Sequence, residues 1–248
     1  GVHGVLFPWR LVPRPGMEKQ LAGAMALLAA EHVRSQEESD SYVVVDPTCG
    51  MGTLLLAAAR VWSQMTSGPL PRLVGRDLDE KQVERCCTNF EACGLDVSDI
   101  RIGDARQPNE LADVTDGSAD AVLCDMPCGE IYKASADAAS YDALLAMAAR
   151  VLKLGGRCVL LSTRRTLLAG STTAGPWRLV AAWSVGRGEG NLRESQLLVL
   201  ERTRDSEGRG DEVAEALLRN QRRSEGNLPR RATRGRSWRR PATPSSGK

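Results

Sequence analysis

The sequence predicts a doubly wound α/β domain, a mostly parallel sheet with helices on both faces. Three observations carry this. Short apolar, β-branched runs alternate with helical patterns along most of the chain, as in successive βαβ units. Tyr42-Val43-Val44-Val45 has the bias of a buried parallel strand. It runs through a tight turn, Asp46-Pro47-Thr48-Cys49-Gly50-Met51-Gly52-Thr53, straight into the helix-forming stretch Leu54-Leu55-Leu56-Ala57-Ala58-Ala59.

The turn itself carries chemical information. Gly50 and Gly52 lack a Cβ, so the backbone can bend sharply and approach a ligand closely. Thr53 is expected to cap the helix, whose first N–H groups point back into the turn. The string is not the G-x-G-x-x-G of a dinucleotide site, and no Gly-Lys-Ser/Thr follows as in a P-loop. An acid at the strand tip, Asp46, is wrong for phosphate and right for a cationic ligand.

Composition sets bounds. The 248 residues suit one large domain with extensions, and a 42% hydrophobic content is enough for a core. Aromatics make up only 4%, so aliphatic side chains must fill that core. The net charge of +2 hides an asymmetry. Residues 216–248 hold ten Lys or Arg against one acid, which leaves the remainder at about −7. The seven cysteines form no CxxC or Cys/His ligand spacing. They read as reduced, mostly buried small hydrophobes of an intracellular protein, nuclear or cytoplasmic, with no metal site of their own. No apolar run reaches the length of a membrane-spanning helix, and no signal peptide is evident.

Residues 1–41 read as an irregular Pro-rich lead-in, a helix over about Met17 to Val33, and a polar linker. Leu21, Met25 and Leu28 share one face of that helix. After the Gly turn, the helix runs to about Gln64. Leu73 to Asp77 is a second strand ending in an acid. Asp77 lies 25 residues past Gly52, where a carboxylate of this fold accepts two ribose hydroxyls. Asp79 is an N-cap, and Val83, Cys86, Cys87, Phe90 and Cys93 line one helix face up to a stop at Gly94. Val97 to Ile102 is the third strand, with Asp104 and Ala105 just beyond its tip. A short helix and loop cover Pro108 to Gly117.

Ala119 to Cys124 is the fourth strand, and Asp125-Met126-Pro127-Cys128-Gly129 stands at its carboxyl end, where ligands of open α/β sheets bind. Residues 130–139 read as a loop able to act as a lid. A helix follows from Tyr141 to Leu152, with Tyr141, Leu144, Leu145, Ala148 and Val151 on its buried face, and Gly155-Gly156 ends it. Cys158 to Ser162 is a central fifth strand. Trp177 to Val185 and Ser195 to Arg202 read as an antiparallel pair joined by a Gly-rich loop. Residues 42–203 thus form the domain. Residues 204–248 read as a basic, largely disordered tail with a short helix near Val213 to Leu218.

The first turn resembles motif I of the S-adenosylmethionine-binding methyltransferases. The fourth strand tip resembles the (Asp/Asn)-Pro-Pro-aromatic motif of amino-methyltransferases. Asn89-Phe90-Glu91-Ala92-Cys93-Gly94-Leu95, Arg150-Val151-Leu152-Lys153-Leu154-Gly155-Gly156 and Leu21-Ala22-Gly23-Ala24-Met25-Ala26 extend the likeness over about residues 14–203. Together they resemble the THUMP-associated guanosine-N2 RNA methyltransferases. The resemblance implies a Rossmann-like seven-stranded methyltransferase sheet and S-adenosylmethionine as cofactor. Its binding residues would be Asp46, Thr48, Gly50, Gly52, Thr53, Asp77, Asp104, Ala105 and Asp125. Catalysis would fall to Asp125, Pro127 and Cys128, with no metal. The implied substrate is a structured RNA, U6 small nuclear RNA or tRNA. The implied partner is the small zinc-binding activator subunit shared by several eukaryotic methyltransferases.

The chain departs from the family at Cys128, where a Phe usually stands to stack on the target base. Such stacking is worth roughly 1–3 kcal/mol. Glu130 and Ile131 replace basic residues of the family pattern. These departures motivate a second reading, a non-catalytic scaffold that keeps the fold. A methyltransferase acting on a protein amide is a third, and Asp125 counts against it, because that activity uses Asn-Pro-Pro-Tyr. The basic tail reads either as a contact to RNA phosphates without sequence preference or as a solubilising disordered segment.

Overall fold

In the computed structural model the described residues are 17–35, 41–66, 68–104, 106–127, 137–173, 175–186, 194–204 and 208–226. In chain order the elements are α1 (Lys19–Ala30), β1 (Val43–Asp46), α2 (Thr53–Met65), β2 (Arg72–Asp77), α3 (Glu80–Ala92) and β3 (Ile100–Ile102). There follow β4 (Ala119–Asp125), α4 (Ala138–Val151), β5 (Leu152–Ser162), α5 (Arg165–Thr172), β6 (Trp177–Gly186), β7 (Glu194–Arg202) and α6 (Gly210–Gly226). Short 3-10 turns follow α1 and precede β4.

The seven strands form one sheet in the order β3-β2-β1-β4-β5-β7-β6. β1 to β5 run parallel to one another, and β7 runs antiparallel to both β5 and β6. Successive strand residues enter opposite cores, as the two-residue period of a strand requires. Val44, Leu73, Leu123, Val159 and Leu197 pack under α1, α2 and α3. Val45, Val74, Val122, Leu160 and Leu198 pack under α4, α5 and α6. The parallel strands are therefore covered on both faces and read as continuous apolar runs. β1 and β4 are neighbours, and the chain winds outward from them in opposite directions. That reversal opens a crevice at their carboxyl ends.

Arg76 is only 1% exposed, an unusual place for a charge. It is satisfied by an ion pair to Asp113 at 2.6 Å and by the carbonyls of Gly75, Asp99 and Glu110. It therefore ties β2 to the loop ahead of β4.

The expected elements recur with four differences. Gly155 and Gly156 do not end α4. The chain turns extended at Leu152 and enters β5 at once, with a register shift against Ala119 and Ala121 and a left-handed Gly155 at φ 80°. β3 is shorter than expected, because Val97 to Asp99 turn back before pairing begins. α5 has no counterpart in the sequence reading, since eight residues give too few turns for a clear period. The helix expected near Val213 is longer, and Val213 and Leu217 are fully buried in the second core. The Pro-rich lead-in and residues 227–248 lie outside the described residues. Among the described residues, no helix is long and apolar enough to cross a membrane.

Candidate active site

Three acids come together because three parallel strands end side by side. Asp46 closes β1, Asp77 closes β2 and Asp125 closes β4. Register places Asp46 opposite Gly75, two residues before Asp77, while β4 flanks β1 on the other side. The loop between β1 and α2 passes through the middle of this group.

The Gly turn is fixed by main-chain and carboxylate bonds. The Gly50 N–H donates to Asp77 Oδ2 at 2.8 Å, and the Cys49 N–H donates to the Arg76 carbonyl at 2.8 Å. The Gly52 N–H closes the turn on the Cys49 carbonyl at 2.8 Å. Gly52 is the N-cap of α2 at φ 86°, so the expected Thr53 cap is corrected. Thr53 is the first helical residue and is buried. A Cβ at Gly52 would lie 2.6 Å from Cys86 Sγ, so the floor beneath the turn admits no side chain. Above Gly50, at φ 52°, a Cβ would meet nothing within 4 Å, so the space over the turn is open. Asn89 on α3 steadies the turn by donating to the Met51 carbonyl at 2.9 Å.

Asp46 is 1% exposed and accepts from the Thr48 N–H at 3.0 Å. Burial pushes its carboxyl well above the usual carboxylate range, and the nearby charges of Asp77 and Asp125 push the same way. A buried acid facing two further acids is suited to receive a cation. Asp77 uses one oxygen on Gly50 and the other on the Asp79 N–H at 2.9 Å. Each oxygen keeps a second lone pair, enough for two hydroxyl donors.

The Thr48 hydroxyl donates to the Asp125 carbonyl at 3.2 Å and lies 3.3 Å from Cys124 Sγ. Its work among the described residues is to join the tips of β1 and β4. Beyond Asp125, the Met126 N–H is pinned to the Leu161 carbonyl at 2.8 Å, and the Pro127 carbonyl accepts from the Tyr141 hydroxyl at 3.2 Å.

Asp104 follows β3 and is clamped by Arg106. The guanidinium donates from Nε to Oδ1 and from Nη2 to Oδ2, each at 2.7 Å. That bidentate bond holds the Asp104 carboxyl below the usual range, so it stays ionised. Arg106 also donates to Ser140 Oγ on α4 at 3.1 Å. Sequence reasoning did not single out Arg106. Tyr141 it assigned only to the core. Asn89 entered only within the family resemblance, although a polar residue on a buried helix face is itself a signal. Ala105, Cys128 and most of the expected lid lie outside the described residues. Burial pushes the Cys49, Cys124 and Cys158 thiols up, with Cys86 the larger cause at Cys49, so none of the three is a thiolate nucleophile. Among the described residues, no three His, Cys, Asp or Glu side chains converge on a metal position.

The family described as UPF0020, RMKL-like methyltransferase domain, matches residues 14–190. A curated Bos taurus protein, U6 snRNA (guanine-N(2))-methyltransferase THUMPD2, is 32% identical over 168 residues, covering 65% of this chain and 29% of that protein. Its Homo sapiens namesake is 32% identical over 150 residues, covering 59% and 25%. The chain thus spans less than a third of the length of these curated relatives. Among solved structures, TrmN from Thermus thermophilus aligns with a TM-score of 0.58 at 28% identity, covering 79% of this chain and 52% of that one. The rRNA methyltransferase aviRa from Streptomyces viridochromogenes shares the fold, with a TM-score of 0.54 at 16% identity, covering 79% of this chain and 89% of that one.

Proposed function

Since the chain belongs to the RMKL-like methyltransferase-domain family, we propose that it transfers a methyl group from S-adenosylmethionine to the exocyclic N2 amine of a guanosine in a structured RNA. U6 small nuclear RNA is the first candidate and tRNA the second, from the printed activity of the curated relatives and from the family resemblance. One observation carries the reading: Asp46, Asp77 and Asp125 end neighbouring strands around an open Gly turn.

The residues fit the cofactor. Among the described residues no cation is paired with Asp46, which is buried near Asp77 and Asp125, and this suits an α-ammonium group. Asp77 offers two lone pairs to ribose hydroxyls, and Asp104, fixed by Arg106, offers an acceptor to the adenine amine. When bound, the cofactor supplies an electrophilic methyl on a sulfonium.

A guanine amine is a poor nucleophile, because its lone pair is delocalised into the ring. The chain must therefore hold both amine protons and aim the nitrogen. Asp125 and the Pro127 carbonyl stand at one strand tip and can accept one proton each. Positioning of this kind supplies most of the rate, and Asp125 takes up the proton released as the N–C bond forms and the S–C bond breaks. The Cys128 thiol offers no stacking ring, so target affinity rests on other contacts.

We place the zinc-binding activator subunit at β3. It is one of the two outer strands of the sheet, and Ile102 there is 52% exposed, so strand addition is open to it. Ile102→Lys would abolish co-purification with that subunit, and undiminished co-purification would refute this placement.

The reading is tested by Asp125→Ala with a U6 transcript and tRNA. The variant is expected to retain saturable cofactor binding and to lose methyl transfer by at least about 100-fold. Retained turnover would remove Asp125 from the mechanism. Cofactor binding by a wild-type protein that methylates neither RNA would favour the scaffold reading.

A further inference from the structure

We infer that Tyr141 is a positioning residue that sets the direction of the Pro127 carbonyl, the second acceptor for the target amine. The inference rests on the proposed function for its consequence, but its geometry stands on its own.

Tyr141 is fully buried on α4, in the core beneath β4 and β5. A Phe would fill the same apolar space. The hydroxyl, out of water, needs partners, and the described residues include two. It lies 3.2 Å from the Pro127 carbonyl and 2.8 Å from Ser162 Oγ at the end of β5. Counting protons gives the direction of each bond. A phenol has one proton, and a carbonyl can only accept, so Tyr141 donates to Pro127. Ser162 must then donate to the phenol oxygen. Ser162 in turn accepts the Arg164 N–H at 2.9 Å, which leaves its own proton for Tyr141. The result is a chain of donors from Arg164 through Ser162 and Tyr141 to the Pro127 carbonyl, each bond strengthening the next.

This chain acts on a soft angle at the strand tip. The Met126 N–H is fixed to Leu161 in β5. The Pro127 ring fixes φ at that residue. Met126, ahead of a Pro, is restricted to extended conformations, whereas ψ of Pro127 stays soft and decides where its carbonyl points. The Tyr141 bond holds that angle and uses one of two lone pairs. The other stays available for an amine proton. With the carbonyl free to rotate, the amine could turn out of line with the methyl. Misplacement of about 1 Å costs on the order of 100-fold in rate. Tyr141 does not itself touch the reacting atoms, so its effect belongs in kcat rather than in binding.

The test compares wild type, Tyr141→Phe, Ser162→Ala and Asp125→Ala in the full-length protein, with a U6 transcript and tRNA as substrates. Tyr141→Phe is expected to keep its melting temperature to within a few degrees, its cofactor Kd and its RNA KM, while kcat falls about 10–100-fold. Ser162→Ala is expected to fall less, and a double variant carrying Tyr141→Phe and Ser162→Ala no further than Tyr141→Phe alone, because both act through one chain. A crystal structure of Tyr141→Phe should show the Pro127 carbonyl turned from its wild-type direction. A kcat within twofold of wild type, a change confined to KM, or an unmoved carbonyl would each overturn the inference. Failure of the functional reading looks different: Asp125→Ala would then keep wild-type turnover, or wild type would methylate neither RNA, while the crystal structure still decides the carbonyl.

Discussion

The hydroxyl of Thr48 donates to the main-chain carbonyl of Asp125 at 3.2 Å, across 77 residues of sequence. The turn that would hold the cofactor is thereby bonded to the strand tip that would hold the target. The two half-sites come together because β1 and β4 are neighbours at the reversal of strand order. Thr48→Val keeps the shape and removes the bond. It should destabilise the protein by about 1 kcal/mol, as loss of one partly buried hydrogen bond does. It should also lower kcat by more than it weakens cofactor binding. Denaturant titration and steady-state kinetics on the same preparation check both.

Asp46 predicts a pH dependence. Its carboxyl is raised in the folded protein, first by burial and then by Asp77 and Asp125. Such a group favours the folded state below the ordinary carboxylate range, and that contribution is lost as pH rises through the raised value. Asp46→Asn removes the loss. The ligand-free variant should therefore melt above wild type at pH 8, and the gap should shrink as pH falls. Its cofactor binding should be lost at every pH. Thermal scans across pH, with and without cofactor, read both effects.

Asp104 moves the other way. Arg106 holds its carboxyl low, so it stays ionised through the range where Asp46 titrates. Asp104→Asn should weaken cofactor binding without shifting the pH at which binding falls off. Arg106→Ala should cost no more than about 1 kcal/mol in stability, since the pair is partly exposed. Calorimetric titration at two pH values checks the first statement, and denaturant unfolding checks the second.

Gly50 and Gly52 should differ. Both have positive φ, which costs an L-residue about 1–2 kcal/mol. At Gly52 an added Cβ also meets Cys86 Sγ at 2.6 Å and Phe90 Cε2 at 2.9 Å. Gly52→Ala should therefore destabilise by about 2–4 kcal/mol. Gly50→Ala should cost less and act mainly by placing a methyl in the open space over the turn, weakening cofactor binding. Equal stability losses would contradict this division.

The fold is legible in the sequence because local and long-range signals agree. The Val43 to Asp46 run, the Gly turn and the Leu54 to Ala59 helix read as one strand–turn–helix unit, and Asp77 and Asp125 end strands at the expected places. What escapes the sequence depends on contacts between distant residues. The bond from Thr48 to Asp125, the clamp of Arg106 on Asp104 and the phenol of Tyr141 under Pro127 leave no mark in spacing. Tyr141 shows why: at helical period it reads as core, which it also is. Gly155 misleads because a Gly pair after a helix usually marks its end, whereas here it accommodates an irregular strand start.

α6 carries the fold past the expected domain boundary. Leu217 is fully buried against the second core, so Leu217→Ala should cost about 2–5 kcal/mol. An unchanged unfolding midpoint would show that this helix adds nothing to the domain.

The most direct measurement is a calorimetric titration of this chain with S-adenosylmethionine, repeated for Asp77→Ala. Wild type is expected to show saturable one-site binding and the variant to lose it, with circular dichroism unchanged. Absence of binding by a folded wild-type chain, or equal binding by both proteins, would contradict the assignment of this crevice as the cofactor site.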